Sequence, residues 1–212
     1  MAGTITALKA QRSARDRVNV HIDGEFAFGL ALIHAVWLKI GQMLSDEEIA
    51  ALRAADTLEQ AQQRAVNLIA YRPRSVREVR QRLKKAGVEE ETIERVVEQL
   101  RNAGMLDDES FSKAWVESRL RAAPRGRRMI AWELRLKGVA EQEIEAALEN
   151  VDDDATALEA ARRRWPRLQA LPPRERKRKL FEFLARSGFE YSAMEEALRQ
   201  IESGDAAEEM QE

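Results

Sequence analysis

The sequence predicts a mainly α-helical fold: an elongated tandem array of three three-helix repeats behind a small N-terminal hairpin or short sheet with short helices. Three observations predict it. Apolar residues alternate on both sides of Asp23-Gly24. From Ser45 onward the apolar spacing becomes helical. One pattern of apolar positions around a glycine is then written three times, at Gly87, Gly138 and Gly188.

The first segment, residues 1–55, holds the strands and short helices. Thr4 to Leu8 reads as a strand. Val18, Val20 and Ile22 alternate with polar residues before Asp23-Gly24, and Phe26, Phe28 and Leu30 alternate after it. Asp-Gly tolerates the positive φ of a tight primed turn, so two or three strands are expected between about 3 and 30. So small a sheet needs a covering layer, and the apolar stretch Leu32 to Leu38 is the nearest candidate. Ser45 and Glu48 form a capping box that opens a helix. Asp56 and Glu59 repeat it weakly and predict a second helix, to about Ala70. Ser75 and Glu78 repeat it again behind Pro73.

The repeats are expected at 56–104, 105–151 and 152–202, with an acidic disordered tail over 203–212. Eight positions before the shared glycine stand Val79, Ile130 and Leu180; four before it, Leu83, Leu134 and Leu184; six after it, Ile93, Ile144 and Met194. A helical repeat buries such a stripe against its own helices and its neighbours, which favours an array.

The net charge is −2, from 35 Lys and Arg against 37 Asp and Glu, but its distribution is uneven. Seven bases between Tyr71 and Gly87 face only Glu78, and seven between Arg119 and Lys137 face only Glu133. Nine between Arg162 and Lys179 face only Glu175. Acidic stretches lie between these blocks. Exposed ion pairs are each worth less than about 1 kcal/mol, so mutual neutralisation does not explain the segregation. The expected partner-binding ridge comprises Arg72, Arg74, Arg77, Arg80, Arg82, Lys84, Arg125, Arg127, Arg128, Arg135, Arg174, Lys177 and Arg178. Arg77, Arg128 and Arg178 share one repeat position.

Catalytic signals are weak. The chain has no cysteine, which excludes disulfides, thiolate metal sites and cysteine nucleophiles. His21 and His34 have no partner at ligand spacing, and neither phosphate-loop nor nucleophile-elbow motifs occur. Asp107 to Glu109 and Asp152 to Asp154 are expected to cap helices, with a divalent-metal site as the other reading. Trp37, Trp115, Trp132 and Trp165 lie in helical segments, most of them as expected core anchors. No cofactor, secretion signal or membrane span is expected, so a cytoplasmic protein is anticipated.

Arg72-Pro73-Arg74-Ser75, followed by Glu78, Val79, Arg82, Leu83 and Gly87, resembles the opening signature of the RecX regulatory proteins. Gly104 to Asp108 with Phe111 is similar to that family's Gly-x-Leu-Asp-Asp-x-x-Phe motif. Pro124, Arg125 and Gly126, with Glu133, Leu134, Lys137, Gly138 and Val139, resemble its second-repeat motif. Three residues depart from the family pattern: Ser112 stands where Ala is common, Trp115 where Tyr is common, and Ala86 where Lys often precedes the glycine. The resemblance implies a modulator that acts by binding the RecA filament on single-stranded DNA. Such a protein blocks filament extension and promotes disassembly, lowering recombinase, ATP hydrolysis and SOS coprotease activities. It would act by binding, without catalysis or a cofactor; a monomer with no membrane partner and a possible direct weak DNA contact through the ridge is expected. The other reading is a helix-turn-helix-type DNA-binding protein acting without RecA.

Overall fold

The computed structural model describes the backbone of residues 2–12 and 16–209, and side chains as far as Ser203. Two compact units result: residues 1–72 with 79–106, and residues 73–78 with 107–212.

In the first unit, β1 (Gly3–Ala10), β2 (Arg17–Ile22) and β3 (Glu25–Ala31) form antiparallel pairs, as the alternation predicts. Asp23 and Gly24 adopt φ of 49° and 91°, the pattern of a primed turn. Val18 faces Leu30 and Val20 faces Phe28, and all four are buried. A fourth strand, β4 (Met43–Leu44), pairs with β1, so the sheet order is β3-β2-β1-β4.

The stretch expected to cover this sheet does so only in part. After one turn of helix, α1 (Leu32–Ala35), the chain bends so that Gly41 N–H donates to Ile5 O and Ile5 N–H to Gln42 O. Those bonds set β4 beside β1 at the cost of a longer helix. Ala35 and Leu38 pack on the sheet, whereas Ile33, Val36, Trp37 and Ile40 are exposed.

The helix expected to begin at Asp56 does not exist as a separate element. α2 runs unbroken from Asp46 to Tyr71, opened by the Ser45–Glu48 capping box. The segment boundary expected between 55 and 56 therefore falls inside it. Asp56 is buried and turns sideways rather than towards its own helix end. It accepts two bonds from the Arg17 guanidinium, at 3.0 and 2.9 Å. It accepts two more, from Ala31 N–H at 2.8 Å and Gln60 at 2.6 Å. With Arg53 donating to Ala27 O, it also occupies backbone groups of the edge strand β3. Burial alone would raise the Asp56 pKa, but these donors together hold it below the usual carboxylate value. A depressed carboxylate pKa stabilises the fold above the unfolded-state value of 3.8, and that stabilisation fades as pH falls. Asp56→Ala is expected to cost about 2 kcal/mol at pH 7, because it strands Arg17 and the Ala31 amide. In urea melts the gap from wild type should shrink below pH 4; a gap unchanged with pH would contradict this assignment.

The remaining helices are α3 (Val76–Lys85), α4 (Glu90–Asn102), α5 (Asp108–Ala122), α6 (Arg127–Leu136), α7 (Glu141–Leu148), α8 (Asp153–Arg164), α9 (Pro173–Arg186) and α10 (Tyr191–Glu209). A 3₁₀ turn, Trp165–Leu168, follows α8. The second half of α2 with α3 and α4, then α5 to α7, then α8 to α10, make three tandem three-helix domains. Each middle helix ends alike. Gly87, Gly138 and Gly188 adopt φ of 78°, 78° and 85°. The next residue's amide bonds back to a carbonyl five residues earlier, closing a left-handed cap. Separate cores sit under α5–α7, with Phe111, Ile130, Leu134 and Ile144, and under α8–α10, with Trp165, Leu180, Leu184 and Phe189. α10 continues to Glu209, into the stretch expected to be a disordered tail; residues 210–212 lie outside the described residues.

Candidate partner-binding surface

The expected basic ridge resolves into three kinds of residue. Some cations are held by acids on neighbouring helices. Arg80 pairs with Glu94 at 2.5 Å, Lys84 with Glu90 at 3.1 Å, and Lys177 with Glu202 at 2.6 Å. Arg135 Nε lies 2.8 Å from Glu141, whose carboxyl is held below its ordinary pKa by that hydrogen bond. Lys84 with Glu90 and Arg135 with Glu141 are one interaction at one repeat position. Arg178 lies 3.9 and 3.8 Å from Glu175 and Glu182. These exposed pairs contribute little to stability, but they reduce the charge a partner meets.

A second kind serves the joints between repeats. Arg125 donates to Ser187 Oγ at 3.4 Å. Arg127 gives its backbone N–H to Asp153 at 2.8 Å and its guanidinium to Val151 O at 3.1 Å. Arg72 and Arg74, in the segment that follows α2 along the chain, are half-buried and are also engaged within the protein. The third kind is open: Arg77, Arg82, Arg128 and Arg174 are exposed and have no ion pair among the described residues. Arg77 and Arg128 occupy the same position in successive repeats.

The joints are built from the acidic clusters. Asp107 and Asp152 cap their own helices, as expected: Asp107 accepts from Glu109 and Ser110 N–H, and Asp152 from Ala155 N–H. The next residue in each cluster reaches elsewhere. Asp108 accepts the Val76 N–H at 2.9 Å, and Asp153 accepts that of Arg127. Each therefore caps the middle helix of the preceding repeat, satisfying an amide that lacks an intrahelical partner. The same end abuts the middle helix of the following repeat: Ser75 Oγ donates to Lys137 O at 2.7 Å, and Gly126 N–H to Ser187 O at 2.9 Å. Burial pushes the Asp153 carboxyl above its usual pKa, against the bond from Arg127.

Trp115 organises the middle of the second unit. Its indole donates to Glu133 at 2.8 Å, and Arg119 and Lys137 lie 4.3 and 4.2 Å from its ring centre. Lys137 also bonds Glu78 at 3.1 Å. The lone acids of the first two basic blocks, Glu78 and Glu133, are thus internal counterions, and Arg119 and Lys137 belong to the packing. A single acid recurring within each basic run was the available sequence signal. The tryptophans depart from expectation: Trp165 is buried and Trp115 half-buried, but Trp37 and Trp132 are largely exposed.

Among the described residues no cluster of three or more His, Asp or Glu could hold a metal ion. No described helix is long and apolar enough to cross a membrane. Family models match nearly the whole chain. They are the regulatory protein RecX N-terminal domain over 3–45 and the first, second and third RecX three-helix domains over 61–100, 107–148 and 152–198. The chain belongs to the RecX family of regulatory proteins. Among its RecX relatives, regulatory protein RecX of Bacillus pumilus is 30% identical, over 98% of this chain and 81% of that protein. That of Pelodictyon phaeoclathratiforme is 40% identical, over 64% of this chain and 84% of that protein. A crystal structure of regulatory protein RecX superposes with a TM-score of 0.71 at 27% identity, covering 91% of this chain and 97% of the other. RecX from Lactobacillus salivarius, at 20% identity, shares the fold with a TM-score of 0.62 over 70% of this chain.

Proposed function

We propose that this RecX-family protein binds the RecA filament on single-stranded DNA in the cytoplasm and inhibits it by blocking extension and promoting disassembly. Recombinase activity, ATP hydrolysis and SOS coprotease activity then fall together. Membership of the family along nearly the whole chain carries this reading. It is supported by exposed arginines at a repeated position, Arg77 and Arg128, which suit a repetitive anionic or acidic partner. The protein acts by binding, as a monomer, with no cofactor and no catalytic step.

A helix-turn-helix reader would need the first turns of α3 and α6 to face base edges. Their leading backbone amides are taken up at the joints, Val76 N–H by Asp108 and Arg127 N–H by Asp153, which leaves one open cation on each turn, Arg77 and Arg128, rather than a set of side chains that could read base edges. The test is RecA ATP hydrolysis on single-stranded DNA, titrated with this protein. Inhibition is expected at stoichiometric or lower ratios. No inhibition there, with tight sequence-specific shifts of duplex DNA, would replace this reading with the direct DNA-binding one.

A further inference from the structure

The three middle helices provide an internal control for what their exposed faces carry. Residues at i, i+4 and i+8 form one ridge along a helix. On α3 that ridge is Arg77, Gln81 and Lys85; on α9 it is Arg178, Glu182 and Arg186. All six are exposed, and all are polar or charged. The matching ridge on α6 is Arg128, Trp132 and Leu136. Trp132 is 54% exposed and Leu136 59%. Two large apolar side chains therefore stand in solvent where the sister repeats place Gln or Glu, and Lys or Arg. The core does not account for them, because Ile130, Ala131 and Leu134 form the buried face of α6.

Trp132 also stands on a groove of about 750 Å³ that is formed by α6, α7 and residues 185–190, with Ile144 and Leu148 in its wall. Its charges are mixed. Glu141, Glu145 and Glu190 line it beside Arg127, Arg128 and Arg135. Arg135 is committed to Glu141, and Arg127 to Val151. Arg128 is thus the open cation of this groove. A phosphate backbone requires a run of cations and is repelled by carboxylates, so this groove suits it poorly. A protein surface needs a central aromatic or aliphatic anchor with an arginine beside it, the composition of interface hot spots.

We propose that Arg128, Trp132 and Leu136 form a protein-docking anchor. It receives an apolar side chain of the partner in the groove, with a partner carboxylate on Arg128. The proposal rests on the functional reading above, in which that partner is a RecA protomer of the filament rather than its DNA. The test replaces the ridge by its first-repeat counterpart, Trp132→Gln with Leu136→Lys. Both positions are exposed, so the thermal melt should not move. Affinity is measured for RecA filaments held on single-stranded DNA with a non-hydrolysable ATP analogue, and for the same DNA alone. Filament affinity is expected to fall about tenfold with affinity for naked DNA unchanged. Trp132→Phe should retain most of the affinity, and Gln81→Ala with Lys85→Ala on α3 should retain all of it. Unchanged filament binding by the double variant overturns the anchor alone. A parallel loss on naked DNA overturns it in favour of a base-stacking platform. Wild-type protein that fails to engage the filament overturns the functional reading, and the anchor with it.

Discussion

Gly126→Ala is expected to destabilise the second unit by about 3 kcal/mol, at the upper end of overpacking costs. The reason is the joint between the second and third repeats. A Cβ at Gly126 would stand 2.2 Å from Gly188 O and 2.5 Å from Phe189 N, both backbone atoms that cannot swing aside. Relief requires parting α6 from the end of α9, which would also break the Gly126 N–H bond to Ser187 O. Gly87→Ala supplies the contrast. Gly87 has the strained φ of 78°, yet nothing lies within 4 Å of an added Cβ. Its substitution should cost only about 1 kcal/mol, the conformational term alone. Gly126 lies in the second unit and Gly87 in the first, so guanidinium melts are followed by far-ultraviolet circular dichroism, which reports the helices of both. Equal midpoint losses for the two variants would mean that the joint is softer than its geometry requires.

On the function proposed above, Arg77→Glu with Arg128→Glu is expected to weaken inhibition of RecA ATP hydrolysis on the order of 30-fold, because like charges brought together at an interface cost several kcal/mol. Folding should be unaffected. Neither guanidinium has an internal ion pair among the described residues, and glutamate keeps the Cβ and Cγ of the Arg77 stem that lies, with its Cδ, beside Gly138. Salt dependence separates the possible targets. If the arginines meet phosphates, the double variant should also show a shallower dependence of filament binding on salt. If they meet carboxylates of RecA, affinity should drop with little change in affinity for naked DNA. Undiminished inhibition would move the contact surface to other residues.

Much of the fold was legible along the chain. The hairpin turn at Asp23-Gly24, the capping box at Ser45 and the three glycine caps follow from local backbone preferences. So does the triple repetition of apolar stripes, because helical and strand periods are short-range properties. The failures share one cause. Asp56 reads as a helix start because Asp followed three residues later by Glu resembles a capping box. Its carboxylate is instead drawn to Arg17 and to the Ala31 amide, 39 and 25 residues away. Leu32 to Leu38 reads as one covering helix, yet β4 pairing with β1 bends it after a single turn.

The same division runs through the candidate surface. By itself the sequence determined that bases and acids are segregated by repeat, that Arg77 and Arg128 are equivalent, and that the chain carries RecX motifs. All are matters of spacing along one chain. Only the tertiary structure decided which arginines remain open. Glu94 reaches Arg80 across 14 residues, Lys137 reaches Glu78 across 59, and Ser187 reaches Arg125 across 62. It also decided that Asp108 and Asp153 join repeats, and that Trp132 stands in solvent while Trp165 is buried. A side chain's charge is set by its type, but its availability depends on what folding places beside it, and those neighbours are distant in the chain.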